Sequence, residues 1–288
     1  MLGKLFKHEF QRTSKVGGLL LIIAACVTIL GAIYLVSPLF HGMLAPDDMR
    51  NPMIPIVGAI LGFLGLLSYS GMLIGLSVGF MIYLGFRFYK SMYSDEGYLT
   101  HTLPVKSSDI LIAKVVTGGV WMLIMTIAMT LMVAFLMLLG FAEVRGVSIG
   151  TIITSIKDTL EIFFGYIKEF TGMKLTSSGI MLLLMFFITP FANISILYGA
   201  ITLGQYSWKN KGLMGIIAYL GIRMLMSIVS GILNLGMTVG RMNGEIDAGI
   251  SLSLANDKYF TTLLVSVLFA VILFVWSIHV VRDRLNLE

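Results

Sequence analysis

Residue types that carry enzyme chemistry are few in this chain, and none occurs at a catalytic spacing. His8 and Glu9 lack the second histidine that a zinc-binding helix requires four residues after the first. His41, His101 and His279 are scattered over different segments, and Cys26 is the single cysteine, which excludes an intrachain disulfide. A glycine-rich phosphate loop ending in Gly-Lys-Ser/Thr is missing. The sequence therefore predicts no enzyme, no metal site and no cofactor on this chain.

Arg223 is the charged residue that lies deepest in an apolar run. A charge in lipid is costly, so this side chain should face protein or water. Asn193, Gln205 and Asn234 are candidate polar neighbours. Two interpretations stay open: a pathway residue that attracts an anionic group, or an arginine that snorkels or binds backbone carbonyls in a helix contact.

These residues must be positioned by membrane helices. The chain has 288 residues, of which 57% are hydrophobic and 12% charged, about half the charged fraction of a soluble domain. Apolar runs of roughly 20 residues recur, the length of a membrane-crossing helix. We predict an all-α integral membrane protein, a single transmembrane domain over 1–288 with no Asp or Glu inside a span. The six spans are placed at 16–37, 54–83, 111–139, 179–203, 212–236 and 260–281.

The positive charges predict the orientation of these spans. Of the 20 Lys and Arg residues, twelve fall in segments on the same side as the termini and seven fall in longer segments on the other side. Cytoplasmic loops collect Lys and Arg. We therefore predict a cell-membrane protein with both termini in the cytoplasm.

Two amphipathic segments accompany the spans. Residues 1–15 place Leu2, Leu5, Phe6 and Phe10 on one helical face and their basic residues mostly elsewhere, which predicts a helix in the inner membrane interface. The loop 141–178 carries apolar residues at steps of three and four over 148–171. This pattern predicts an extracytoplasmic amphipathic helix between spans 3 and 4. A surface helix, an exit cap and a partner site stay open for it.

Glycines recur at steps of three or four residues within two groups in the second span. Small residues at this spacing let two helices approach closely. Packing within one chain is the favoured interpretation, and contact with a second subunit is the alternative. The glycines concerned are Gly58, Gly62, Gly65, Gly71, Gly75 and Gly79.

A polar interval separates the second and third spans, over 84–110. Asp95, Glu96 and Gly97 form a turn-capable acidic group. Leu99 and Leu103 follow and precede Pro104, which together predict a short helix ended by a proline. The run 107–109 (Ser-Ser-Asp) is expected to cap the next helix, which opens with Ile110 and carries Lys114.

This interval resembles the first cytoplasmic loop of the permease subunits of type-2 ABC transporters. The matching features are Glu96-Gly97, Leu99, Leu103-Pro104 and Lys114, with the six-span layout and the basic amphipathic N-terminus. One feature differs, because that family commonly places its small outer helices between spans five and six.

The resemblance implies a coupling helix that seats in a groove of a separate ATPase subunit, which would hold ATP and magnesium. It also implies two permease subunits, identical or homologous, around a central pathway, and export of amphipathic peptides, antibiotics or lipids. The residues implied in coupling are Tyr93, Asp95, Glu96, Gly97, Leu99, Leu103 and Pro104. Alternatives are a stand-alone secondary transporter and a non-transporting membrane scaffold or sensor; nucleic acid is not an expected partner.

Overall fold

The computed structural model describes residues 2–36, 53–94, 97, 106–145, 175–207, 211–241 and 248–283. These residues are almost entirely helical and include no β-strand. Each of the six helices contains a segment long and apolar enough to cross a membrane, which confirms the predicted all-helical architecture at this level. The helices are α1 (Leu2–Val36), α2 (Met53–Tyr93), α3 (Ser107–Arg145), α4 (Leu175–Gly204), α5 (Lys211–Arg241) and α6 (Ala248–Asp283).

The helices extend beyond the spans predicted from the sequence. Helix α1 has 35 residues without a break, so the predicted interfacial helix 1–15 and the first span form one continuous helix. It contains no proline, so nothing removes a backbone donor along its length. Helix α2 has 41 residues, or about 60 Å at 1.5 Å per residue. It continues through Tyr93, so Arg87 and Lys90 of the polar interval are helical.

The chain packs as two compact units. The first unit comprises Met1–Thr13, Met81–Leu123 and Phe170–Glu288, and the second comprises Ser14–Phe80 and Ile124–Glu169. Helices α4, α5 and α6 therefore belong to the first unit, whereas α1, α2 and α3 each contribute residues to both.

Helix α4 lies at the centre of the first unit and packs against α5 and α6. Its Ile194, Ile196 and Ala200 are completely buried. Close approach depends on glycine, because a Cβ added at Gly204 would collide with the backbone of Gly215 on α5. The apolar core of this bundle consists of Ala192, Ile196, Ala200, Ile222, Met226, Val265, Ala270 and Leu273.

The second unit contains an apolar cavity of about 410 Å³. The hydroxyls of Thr28 and Tyr69 are 3.0 Å apart and join α1 to α2. Gly31 faces Leu136 of α3, whose side chain lies 3.1 Å from the position of an added Cβ. Gly62 and Tyr34 line the cavity. A mostly apolar surface of this kind suits hydrocarbon.

Several predicted features fall outside the described residues. These are Asp95, Glu96, Leu99, Leu103 and Pro104 of the polar interval, and the segment 146–174, which holds the predicted outer helix 148–171. Helices α3 and α4 extend into the predicted loop 141–178 from both ends. The outer amphipathic helix stays a prediction.

Candidate functional site

Three helices meet at a cluster of buried charges in the first unit, which we call the charge cluster: Glu9, Thr13, Arg87, Ser91 and Lys114. Glu9 of α1 lies between two cations. Its Oε2 accepts a hydrogen bond from Arg87 Nη2 of α2 at 2.7 Å. Its Oε1 accepts one from Lys114 Nζ of α3 at 2.6 Å. One carboxylate thus bridges α2 and α3.

Neutral side chains complete the hydrogen bonds of the charge cluster. Lys114 Nζ also donates to Ser91 Oγ at 2.7 Å. Arg87 Nη1 donates to Thr13 Oγ1 at 2.6 Å, and the Thr13 hydroxyl in turn donates to the Glu9 carbonyl at 2.9 Å. Because a buried charge is tolerated when it is paired and hydrogen-bonded, these contacts explain how three charges lie inside an apolar bundle.

The charge cluster is too tightly packed to hold a substrate. The side chain of Lys114 is 6% exposed, that of Arg87 15% and that of Glu9 21%. The cavity lined by these groups, by Thr117 and by Tyr198 has a volume of about 10 Å³, roughly enough for one water molecule. The cluster therefore serves to fasten helices and not to bind a ligand.

The same end of α2 is fastened to α4. The rings of Phe88 and Tyr198 stack with centroids 4.0 Å apart and planes 6° from parallel. The hydroxyls of Tyr93 and Thr202 lie 2.8 Å apart, and Thr202 is completely buried. The last two turns of α2 are thus tied to α1, α3 and α4 at once.

Within the polar interval, the chain leaves α2 directly after these contacts. Of the residues predicted to couple to an ATPase, Tyr93 and Gly97 are described, and both lie at this exit. The Gly97 amide donates to the Ser94 carbonyl at 2.6 Å. A Cβ added at Gly97 would lie 2.6 Å from the Met92 carbonyl oxygen. Glycine is therefore required here by close approach to backbone.

Helix α3 begins within the last residues of the interval, at Ser107. The carbonyl of Lys106 accepts hydrogen bonds from the amides of Asp109 at 2.9 Å and Ile110 at 3.3 Å. The serines thus form the first turn of the helix, and Asp109 places a negative charge at its positive end. The sequence predicted that 107–109 caps a helix opening at Ile110, whereas the helix begins three residues earlier, at Ser107.

The amphipathic pattern of the N-terminal segment is also visible in the structure. Phe10 is partly buried and stacks on Trp121 of α3 at 5.2 Å. Phe6 lies 5.7 Å from Phe10. The basic residues Lys4, Lys7, Arg12 and Lys15 are exposed. The apolar face of this segment contacts protein, a role that periodicity alone does not distinguish from contact with lipid.

Arg223 of α5 forms a second polar site, within the first unit. Its Nη2 donates to Asn193 Oδ1 of α4 at 2.8 Å, and its Nε donates to the Tyr219 hydroxyl at 2.9 Å. Asn193 is thus a neighbour, as predicted. Asn234 lies eleven residues further along α5, where its Oδ1 accepts from Thr261 of α6 at 2.6 Å. The predicted neighbour Gln205 donates instead to the Ile201 carbonyl at 3.2 Å.

The predicted glycine positions divide into two groups. Gly62 lines the cavity of the second unit, and an added Cβ at Gly65 would meet Tyr34 at 3.8 Å. At Gly71, Gly75 and Gly79 an added Cβ would meet nothing within 4 Å in the described part of the chain. Nothing is described of the surroundings of Gly58. Close packing within the chain occurs elsewhere, where Gly118 and Gly119 of α3 face α4.

Sequence reasoning missed Glu9, Thr13, Arg87 and Ser91 as site residues. The available signal was one acid inside an otherwise basic, amphipathic segment, together with cations close to the ends of two apolar runs.

Clusters of three or more potential metal ligands are absent from the residues whose placement is described. A scan of protein-family models and searches of curated proteins and of solved structures find no match to this chain.

Proposed function

We propose that this chain is the permease subunit of an ATP-driven exporter of the type-2 ABC transporter kind. In this proposal both termini are cytoplasmic, two permease subunits pair around a pathway, and a separate ATPase drives them. The interval 84–110 is the element on which the ATPase acts, and the region around Tyr93 and Gly97 receives its motion.

The observation that carries the proposal is the fastening of the end of α2. A coupling element must transmit force, so the loop must leave the membrane part through a rigid junction. Arg87, near the start of the interval, and Lys114, four residues after its end, meet on the same carboxylate of Glu9. Tyr93, the last residue of α2, is hydrogen-bonded to α4 through Thr202. The chain is therefore fastened to the bundle near both ends of the interval.

This junction favours concerted movement of the helices. Separating α1 from α2 or α3 would leave a buried charge unpaired, at a cost of about 3–5 kcal/mol. A displacement of the interval would thus move α1, α2 and α3 together, with α4 following through the Phe88–Tyr198 stack. A scaffold protein has no need for such a junction at a loop, which is why we favour a driven transporter.

The first test identifies the partner. The chain is purified from its native membranes in a mild detergent, and the copurifying proteins are identified by mass spectrometry. We expect a stoichiometric ATPase with a Gly-Lys-Ser/Thr phosphate loop and a magnesium requirement. If the purified chain carries no ATPase subunit, the proposal is wrong, and transport driven by an ion gradient would then identify a secondary transporter.

The second test addresses the docking element with a matched pair of glycine variants. Gly97→Ala places a Cβ against the Met92 backbone, whereas Gly71→Ala, within α2, places one where no described residue lies within 4 Å. We expect Gly97→Ala to lose ATPase copurification, or ATP-driven transport, while insertion into the membrane survives. Gly71→Ala should retain both. Equal behaviour of the two variants would place the coupling site elsewhere.

A further inference from the structure

Helix α5 carries a polar stripe: Tyr219, Arg223, Ser227, Ser230 and Asn234. Successive members are three or four residues apart, so all five lie on one face of the helix. Over these positions the helix rises about 22 Å at 1.5 Å per residue. This length is most of a hydrocarbon core of about 30 Å. A helix that is otherwise apolar and long enough to cross a membrane thus has one polar face along most of its span.

The opposite face of α5 has the properties of a lipid-facing surface. Leu225, Ile228 and Ile232 are 55%, 51% and 64% exposed. The polar stripe is not buried either, because Ser227 is exposed and Arg223, Ser230 and Asn234 are half-buried. Polar groups in lipid are costly. The stripe is therefore better suited to face water or a polar ligand than lipid.

The ends of the stripe are held by neighbouring helices of the same unit. Arg223 bonds to Asn193 of α4, and Asn234 bonds to Thr261 of α6. Between them, Ser230 Oγ donates to the Ser227 carbonyl at 3.1 Å, which turns its hydroxyl back onto its own helix. The middle of the stripe is open, because Ser227 is exposed and Ser230 is half-buried, and Arg223 is fixed in position by its two hydrogen bonds.

The charge of Arg223 has no acidic partner among the described residues. Its hydrogen bonds go to the neutral Asn193 and Tyr219, and its guanidinium carbon lies 5.3 Å from the Tyr219 ring centroid. A guanidinium has five N–H donors in a planar fork that matches phosphate or carboxylate. Further donors thus remain for an anionic ligand.

We infer that the polar stripe of α5 lines a path for an anionic amphiphile, and that Arg223 binds its phosphate or carboxylate head. Leu220 and Met224 flank the stripe, are 59% and 69% exposed, and suit the apolar tail. The transport of this ligand rests on the proposed function, but its binding does not. Lipid and smaller amphiphiles share this chemistry, and the experiment separates them.

Water access is measured by cysteine labelling in native membranes, with Cys26→Ala as the background. Single cysteines are placed on the stripe (Ser227→Cys, Ser230→Cys) and on the opposite face (Ile228→Cys, Ile232→Cys). The reagent is a membrane-impermeant anionic methanethiosulfonate. Because a thiol reacts as the thiolate, which lipid disfavours, the stripe positions should react at least about tenfold faster. Equal rates on both faces would overturn the inference.

Ligand binding is measured by the same cysteine-labelling rate, on the purified chain in dodecyl maltoside. Dodecyl phosphate should slow labelling of Ser227→Cys, which lies one turn from Arg223, whereas inorganic phosphate should do so weakly. Adding Arg223→Gln should weaken this protection about tenfold or more, the value of a charge-assisted hydrogen bond. Arg223→Lys should keep part of it. Lys211→Gln, which removes an exposed cation from the same helix, should keep all of it.

The source of the head group is separated in nanodiscs. Protection by phosphatidic acid identifies a membrane lipid, and protection by dodecyl phosphate alone identifies a smaller amphiphile. Protection that survives Arg223→Gln in full, or is absent with both probes, would overturn the inference. Such a result would leave ATPase copurification untouched, so it would not be confused with failure of the proposed function.

Discussion

Arg87 and Arg223 both lie on helices long enough to cross a membrane, yet their surroundings differ. Arg87 is 15% exposed and pairs with Glu9 at 2.7 Å. Arg223 is half-buried and bonds to the neutral Asn193 and Tyr219. Arg87 also belongs to a network that joins three helices around a cavity of about 10 Å³. Arg223 belongs to a polar stripe that is open along its middle.

The difference separates a structural charge from one that is available to a ligand. A charge that is paired, hydrogen-bonded and enclosed fixes the positions of helices, because its removal leaves other charges unpaired. A charge with neutral partners and an open side retains attraction for an anion. Substitutions in the charge cluster should therefore mainly lower stability, whereas substitutions of Arg223 should mainly lower ligand binding.

The largest effect is expected at Glu9. Glu9→Gln leaves Arg87 and Lys114 buried without an acid, so the free energy of unfolding should fall by about 3–5 kcal/mol. Thermal unfolding in detergent measures this loss. Lys7→Gln removes an exposed charge from the same helix and should change stability by less than about 0.5 kcal/mol. A similar unfolding temperature for both variants would contradict the structural role of the charge cluster.

The double variant Glu9→Gln/Lys114→Met tests whether the loss comes from unpaired charge. It removes one cation together with the acid, so it should be more stable than Glu9→Gln alone. A double-mutant cycle with the two single variants gives the coupling energy between these residues. A coupling energy near zero would show that the two side chains do not interact.

A smaller effect is expected from Arg87→Lys. The lysine keeps the charge, but it cannot reach Glu9 and the Thr13 hydroxyl with the planar fork of arginine. Unsatisfied buried acceptors should then cost about 1–3 kcal/mol. The measurement is again thermal unfolding, with Arg223→Lys as the matched control. An equal or larger loss of stability for Arg223→Lys would contradict the conclusion that Arg87, and not Arg223, has the structural role.

Thr261→Val tests the hydrogen bond between α6 and Asn234. The substitution keeps the shape of the side chain and removes its hydroxyl. Interhelical hydrogen bonds in membrane proteins contribute about 0.6 kcal/mol on average, and we expect a loss of that size. Thr262→Val, at an exposed position whose hydroxyl bonds its own helix, is the control and should have less effect.

The smallest effect on stability is expected from Arg223→Gln. The lost hydrogen bonds to Asn193 and Tyr219 are each worth about 0.6 kcal/mol. Removal of a charge from an apolar helix offsets that loss. The unfolding temperature should stay the same or rise, whereas protection by dodecyl phosphate is lost. A fall in stability as large as that of Glu9→Gln would assign Arg223 a structural role.

The glycines show why sequence predicted some contacts and missed others. The regular repeat of Gly71, Gly75 and Gly79 predicted close packing, yet these positions face open space in the described part of the chain. The close approach of α4 and α5 depends on Gly204 and Gly215, which belong to no repeat. Spacing identifies a face that permits packing, but which face another helix occupies depends on the whole bundle.

The sequence by itself determined the helical architecture and the number of long apolar helices among the described residues. Run length and composition decide these features, and both are properties of neighbouring residues. Of the three candidate neighbours of Arg223 named from the sequence, Asn193 contacts it. The pairing of Glu9 with Arg87 and Lys114 was decided by tertiary structure alone. These residues are far apart in the chain, and their attraction becomes strong only when packing brings them together and removes water.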